Sequence, residues 1–300
     1  MFLNALALFF IPLLLLGVLA FRRFPNLTHW AGSVLAFAIT LFFLWLVARW
    51  DILSMYYRML LPPMLLAAAY LGFVKIRAPE KPWPLPANIG THIVSIALII
   101  IMGGASWKAF EGYAEPAGAI GLVSPLRDAN FVVLHGGASP LINGHYWVAS
   151  QKYALDILGQ DKLGRSATAF ASREALDSFA IFASPLYSPC NGTVEITVDS
   201  FEDQVPPLTD KENLAGNHIL IVCEGVEVVM AHLQKDSLKV QPGDAVTTQT
   251  MLANIGNTGN TSEPHLHIHV ESRGEPSRIL DGKSIPFTLD GKFLVRGNRL

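Results

Sequence analysis

Charge is scarce in this chain, and over most of its first third it is missing. The 300 residues include 22 Lys or Arg and 24 Asp or Glu, so charged side chains make up 15% and the formal net charge is −2. That balance offers no basic footprint and argues against a nucleic-acid partner. Cysteine is limited to Cys190 and Cys223, which leaves room for one disulfide or two buried thiols. No repeat of solenoid type and no low-complexity tract occurs, which excludes a stacked-repeat architecture.

What fills the uncharged region is apolar. Phe2–Phe21, Trp30–Ala48, Met59–Val74 and Pro82–Trp107 contain no Asp, Glu, Lys or Arg. A bilayer-spanning helix needs ~20 mostly apolar residues. The first, second and fourth runs meet that length; the third is shorter and holds Pro62-Pro63. No basic segment precedes the first run and no small-residue cleavage site follows it, so it reads as a retained anchor. The expectation is an N-terminal all-α transmembrane bundle of about four helices over 1–112, with spans near 2–21, 30–48, 59–74 and 89–107. Arg22 and Arg23 in the first loop and Lys75, Arg77 and Lys81 in the third outweigh Arg49 and Arg58 in the second. Lys108 stands alone after the fourth run. This bias puts loops one and three in the cytoplasm and both termini outside.

Beyond Trp107 the pattern changes. The segment 113–300 is expected to be a mainly antiparallel all-β domain. Phe131–Leu134 reads as a short strand. Gly192–Val198 and His218–Val222 alternate, and Val226–His232 follows a Glu224-Gly225 turn, which predicts a hairpin. Val240–Val246 holds a Pro-Gly-Asp turn between short strands. Tyr153–Leu158 reads as a buried strand. One helix is expected over Ser172–Phe182, capped by Ser172 with Glu174 in its first turn. If 113–300 lies outside, a Cys190–Cys223 bridge is permitted.

The most telling stretch is Pro264-His265-Leu266-His267-Ile268-His269-Val270, preceded by the turn-rich loop Gly256–Ser262. Side chains alternate along a strand, so His265, His267 and His269 share one face. Neutral imidazoles held close on a rigid strand suit a borderline-soft cation such as Zn2+. Asp156 sits in an apolar strand, where an unpaired carboxylate is costly. His232 ends another apolar strand. Together these residues suggest a one-carboxylate, two-histidine metal site with spare histidines for acid–base work. His135, before Gly136-Gly137, is a candidate for lining the cleft. His29 and His92 sit at the edges of apolar runs.

The segment 130–300 resembles the lysostaphin-type zinc metallopeptidases, which cut peptide bridges in bacterial peptidoglycan. The matching pieces are Leu155-Asp156, Ala183-Ser184-Pro185, Ser188–Val194, Gly216-Asn217-His218, Ala231-His232-Leu233, Val240–Val246 and Gly256–Val270. The resemblance implies a duplicated hybrid motif fold, Asp156 and His267 as zinc ligands, and His232 and His265 as catalytic groups that orient water or stabilise an oxyanion. It also implies zinc-assisted amide hydrolysis of peptidoglycan peptides, and the apolar runs with their Lys/Arg bias make this a protein of the bacterial cell membrane with an extracytoplasmic β-domain.

One position departs from the family pattern. Its first zinc ligand is a histidine four residues before the aspartate, and here that position is Lys152, an ammonium that cannot ligate. His145 is the candidate substitute. A hairpin of 143–148 with 151–158 around Ala149-Ser150 would set His145 opposite Ala154, on the face of Asp156. A loop one residue longer would reverse that parity and leave His145 a turn histidine. The alternative function is a catalytically degenerate module on the same anchor that binds peptidoglycan or activates another hydrolase.

Overall fold

The structure, a computed structural model, describes residues 2–76, 85–127, 130–167, 175–274 and 276–300. Arg77 and Lys81, used above for orientation, and Ser172 and Glu174, used for a helix start, lie outside them. The chain divides into two compact units, Met1–Phe110 and Glu111–Leu300.

The helices of the N-terminal region are α1 (Phe2–Phe21), α2 (Leu27–Val47), α3 (Tyr57–Phe73) and α4 (Leu85–Glu111). Asn26 caps α2, its side chain accepting the His29 N–H at 3.0 Å. Leu19, Phe24, Leu41 and Ala68 form a small core. At Gly72 an added Cβ would lie 2.5 Å from the Leu19 carbonyl, so only glycine allows the α1 and α3 ends to meet this closely. The His29 and His92 ring centroids lie 4.0 Å apart, with the ring planes tilted by 43°. Phe10, Leu14, Leu66 and Ile100 are exposed on the helix surfaces, a distribution that suits lipid better than water.

About four spans were expected. Among the described residues, two helical stretches are long and apolar enough to cross a membrane by length and composition, Leu27–Val47 and Ile89–Glu111. The apolar stretch Ala5–Phe21 is shorter. The third helix holds 17 residues with Pro62 and Pro63 inside. At ~1.5 Å of rise per residue it covers about 26 Å, short of a hydrocarbon core ~30 Å thick.

The C-terminal unit is β-rich. Its strands are β1 (Ile120–Leu122), β2 (Phe131–His135), β3 (Leu155–Gly159), β4 (Pro185–Tyr187), β5 (Gly192–Val198), β6 (His218–Cys223), β7 (Val226–Ala231), β8 (Ala245–Val246), β9 (Met251–Asn254), β10 (Leu266–Ser272) and β11 (Phe287–Leu289). Seven of them form one sheet in the order β2-β3-β10-β7-β6-β5-β8, with each neighbouring pair antiparallel. β4 and β9 pair separately and antiparallel, and β1 and β11 pair in parallel.

The alternation of side chains sorts the main sheet into two faces. Leu155, Ile157, Ile219, Ile221, Val228, Met230, Leu266, Ile268 and Val270 enter the hydrophobic core. Asp156, His218, Ala231 and His267 lie on the opposite face, joined by the registers His267↔Asp156, His267↔Ala231 and His218↔Ala231. The polar face therefore collects its histidines across adjacent strands.

Two local expectations are corrected. In place of a helix over Ser172–Phe182, the described part holds a single 3-10 turn at Leu176–Ser178. Its chain pairs instead, through bridges Ala167↔Phe179 and the Ala183 N–H to the Ile255 carbonyl. Residues 143–153 form consecutive turns, not a hairpin strand. Backbone bonds such as Val148 N–H to His145 O and Ala154 N–H to Gln151 O coil the segment on itself.

Cys190 and Cys223 form a disulfide with a Cα–Cα distance of 6.2 Å. It ties the turn before β5 to the end of β6. Reduction is expected to lower the stability of the purified protein by ~2–4 kcal/mol, chiefly by freeing the unfolded chain. Denaturant unfolding with and without reductant checks this; superimposable curves would contradict it.

Candidate metal centre

The site is centred on a buried carboxylate. Asp156, in β3, is 5% exposed, and its two oxygens meet three imidazoles. His267 Nδ1 lies 2.8 Å from Oδ1 and His145 Nε2 2.9 Å from Oδ2. His265 Nε2 stands 3.6 Å from Oδ1. Burial would raise the Asp156 pKa, but the charges of His145 and His265 and the hydrogen bonds of His145 and His267 hold it well below the carboxylate range.

His267 faces Asp156 because β10 and β3 pair in that register. Burial pushes its imidazole down to about 3, against the hydrogen bond and charge of Asp156. It is therefore neutral at physiological pH, the form that ligates a metal.

His145 arrives by a different path from the one expected. It lies on the turns of 143–153 and not on a strand, so hairpin parity does not place it. Asn143 does the organising. Its buried amide nitrogen donates to the carbonyls of Gly137, Lys152 and Ala154, and its Oδ1 accepts the His145 N–H. Burial lowers the His145 pKa, yet the Asp156 charge and the hydrogen bonds that His145 makes to Asp156 and Gln151 outweigh it and raise the value. Asn143 and Gln151 were not singled out from the sequence. An Asn two residues before a candidate ligand, in a turn-forming segment, is the signal that could have found the first.

The Lys152 ammonium lies over the Tyr146 ring at 5.0 Å and the Tyr153 ring at 5.3 Å. Cation–π attraction holds it there.

His232 and His265 form an adjacent pair with ring centroids 4.7 Å apart. His232 follows β7 in a left-handed conformation at φ 65°. Its Nδ1 is 2.8 Å from the Thr258 carbonyl. A carbonyl only accepts, so Nδ1 carries the proton and Nε2 keeps a free lone pair. Burial, reinforced by His265 and His267, holds the His232 pKa well below the usual imidazole value. His265 sits just before β10. Its Nδ1 is 2.9 Å from the Glu263 carbonyl, so Nδ1 carries a proton, and its Nε2 is on the Asp156 side. The loop behind the pair is set by Gly216, at φ 55°, where a Cβ would fall 2.3 Å from the Thr258 carbonyl carbon.

His135 lines the site, its ring 5.8 Å from that of His145 and its Nδ1 accepting from Gly144 N–H at 2.9 Å. His269 is 1% exposed. It is a buried partner of His267, not a solvated group, with Nδ1 3.0 Å from His267 Nε2.

The donor set fits a metal. One ligand atom each from His145, Asp156 and His267 lie within 4.8 Å of one another. Two imidazoles and one carboxylate with a position left over is the composition of a catalytic zinc site.

Residues 172–279 match the model of peptidase family M23. That segment holds His232, His265 and His267, while His145 and Asp156 precede it. A search of curated proteins found no match. Among solved structures, a zinc-containing peptidase from Vibrio cholerae is 29% identical over 31% of this chain and 25% of its own, with a TM-score of 0.24. LytU is 25% identical over 36% of this chain and 66% of its own, with a TM-score of 0.28. The catalytic domain of lysostaphin from Staphylococcus simulans is 15% identical over 59% of this chain and 90% of its own, with a TM-score of 0.29. The aligned part spans a quarter of the Vibrio cholerae peptidase. Residues 172–279, the segment that holds His232, His265 and His267, are thus similar to peptidase family M23.

Proposed function

We propose that this protein is a membrane-anchored zinc metalloendopeptidase that hydrolyses peptide bonds in peptidoglycan. The observation that carries the reading is the convergence of His145, Asp156 and His267 beside two histidines whose Nδ1 protons are committed to carbonyls. His145, Asp156 and His267 would hold the metal. When bound, zinc polarises a carbonyl and makes water acidic enough to ionise near neutral pH.

The chain's own groups do the rest. With His265 beside it, His232 presents a bare Nε2, a base able to take a proton from the attacking water. Once protonated, that nitrogen can give the proton to the leaving amine or hold the developing oxyanion. The low pKa of His232 keeps it unprotonated before the reaction. Asp156 stays ionised through burial because its imidazole partners compensate its charge.

Elemental analysis of the purified full chain is expected to give near-stoichiometric zinc. His145→Ala is expected to weaken zinc binding by more than ~10-fold, since even outer partners of metal ligands cost ~10–100-fold. Undiminished zinc in that variant would remove His145 from the ligand set. The second reading, a degenerate peptidoglycan-binding or hydrolase-activating module, has Lys152 in its favour. Zinc-loaded protein that cleaves no muropeptide or peptide bridge would establish it.

The anchor is read as about four spans over 1–112, with the β-rich domain of 113–300 extracytoplasmic and in reach of cell-wall peptides. Two apolar helical stretches of spanning length and the Lys/Arg loop bias support this. A cysteine introduced at position 260 in a chain otherwise lacking free thiols is expected to react with an impermeant reagent in intact, outer-barrier-stripped cells. Labelling only after the inner membrane is breached would reverse the orientation and sever the link to the cell wall.

A further inference from the structure

The polar face of the main sheet carries a histidine that the proposed chemistry does not use. His218 opens β6, and the registers His218↔Ala231, His267↔Ala231 and His267↔Asp156 set it in one row with the candidate metal site across four strands. Neighbouring strands stand ~4.8 Å apart, so His218 lies ~10 Å from His267 along the row. Only the methyl group of Ala231 takes the place between them. His218 is the one polar side chain that β6 puts on this face; Leu220, two residues on, is apolar and buried.

The ring has a fixed mount. Its Nδ1 lies 2.7 Å from the Gly216 carbonyl. A carbonyl only accepts, so Nδ1 carries the proton. The backbone beneath is held in turn. Asn217 N–H donates to Thr258 Oγ1 at 2.8 Å, and the Asn217 amide nitrogen donates to the carbonyls of Phe201 and Leu233. The Ala215 carbonyl accepts the His232 N–H at 3.1 Å, so the segment that carries His218 is tied directly to the proposed acid–base residue. His218 is 8% exposed, and among the described residues no group bonds its Nε2. Burial lowers its pKa against the Gly216 hydrogen bond. A neutral imidazole with the proton on Nδ1 offers Nε2 as an acceptor.

The matching donor belongs to the substrate. An extended peptide advances ~3.3 Å per residue, so one that follows the row from a cleaved bond at His267 reaches His218 about three residues on. Backbone N–H groups are the donors that a peptide carries there whatever its side chains. We propose that His218 is a substrate-binding residue whose Nε2 accepts a backbone amide N–H of the peptide about three residues from the cleaved bond. This rests on the peptidase reading above and deepens it, since it makes the site select an extended peptide long enough to cross from β10 to β6.

The test uses the zinc-loaded full chain in detergent and a synthetic peptide carrying the peptidoglycan crosslink. Two depsipeptide versions replace the N–H about three residues to one side or the other of the cleaved bond by an ester oxygen. His218→Leu is expected to raise KM for the peptide ~3–10-fold, the worth of one hydrogen bond, with kcat and zinc content close to the parent. His218→Gln, whose amide oxygen can stand in for Nε2, is expected to restore KM. One depsipeptide is expected to raise the parent's KM by the same factor and to cost nothing more in His218→Leu, because the two changes remove a single bond. A KM indifferent to residue 218, equal loss in the leucine and glutamine variants, or additive effects of ester and leucine would each overturn the inference. If the variants do not fold, the parent decides alone, and an unchanged KM for both depsipeptides overturns it. A zinc-loaded parent that cleaves no crosslink peptide would remove the peptidase reading and this inference together, whereas cleavage without regard to residue 218 would remove only the role of His218.

Discussion

His267→Ala is expected to strip zinc and peptidase activity from the protein together. The imidazole is 3% exposed and lies 2.8 Å from the Asp156 carboxylate. Its removal takes away one of three proposed ligands and leaves a buried carboxylate with less compensation. Changes one step further from a metal already cost ~10–100-fold in affinity, so direct loss of a ligand should exceed ~100-fold. Zinc content by elemental analysis and cleavage of purified peptidoglycan measure the two effects. An alanine variant that kept both would refute the assigned site. Loss of zinc with an unchanged circular-dichroism spectrum would separate ligation from folding.

The other large effect belongs to His232. Here the expected outcome is dissociation of the two properties, with activity lost and zinc retained. His232 Nδ1–H is engaged by the Thr258 carbonyl, and its free Nε2 is the proposed proton acceptor. A positioned acid–base group contributes ~10²–10⁴-fold to rate, and His232→Ala should lower turnover of a muropeptide by that factor. Loss of zinc in the same variant would reassign His232 to the ligand set. Turnover within ~3-fold of the parent would make His232 structural and shift the acid–base role to His265.

Much of the β-domain was legible before folding was considered. Gly192–Val198 was predicted and is β5, and the paired strands before and after Glu224-Gly225 are β6 and β7. Alternating apolar residues mark a sheet with one buried face, and the Glu-Gly turn sets the hairpin. The same alternation placed His265, His267 and His269 on one side, because the pleat allows no other arrangement. The helix expected over Ser172–Phe182 failed for a physical reason. Its capping and acidic pattern is a weak local preference, and pairing with Ala167 and Ile255 prevailed over residues that the structure describes. Of the four apolar runs read as spans, two form helical stretches of spanning length and composition among the described residues.

His145 marks the boundary between the two kinds of information. Its chemistry could be read from composition and its proximity to Asp156 could be guessed, but the hairpin argued for it does not exist. The turns of 143–153 carry it there, and Asn143 holds them through carbonyls at Gly137, Lys152 and Ala154. Lys152 shows the same limit. Its charge looked hostile to a metal, and its place over Tyr146 and Tyr153 depends on a turn that no periodicity encodes. Strand alternation is a property of neighbouring residues, so it survives in the bare sequence. Joining His267 to Asp156 brings together residues 111 apart in the chain, and that contact exists only once the sheet has assembled.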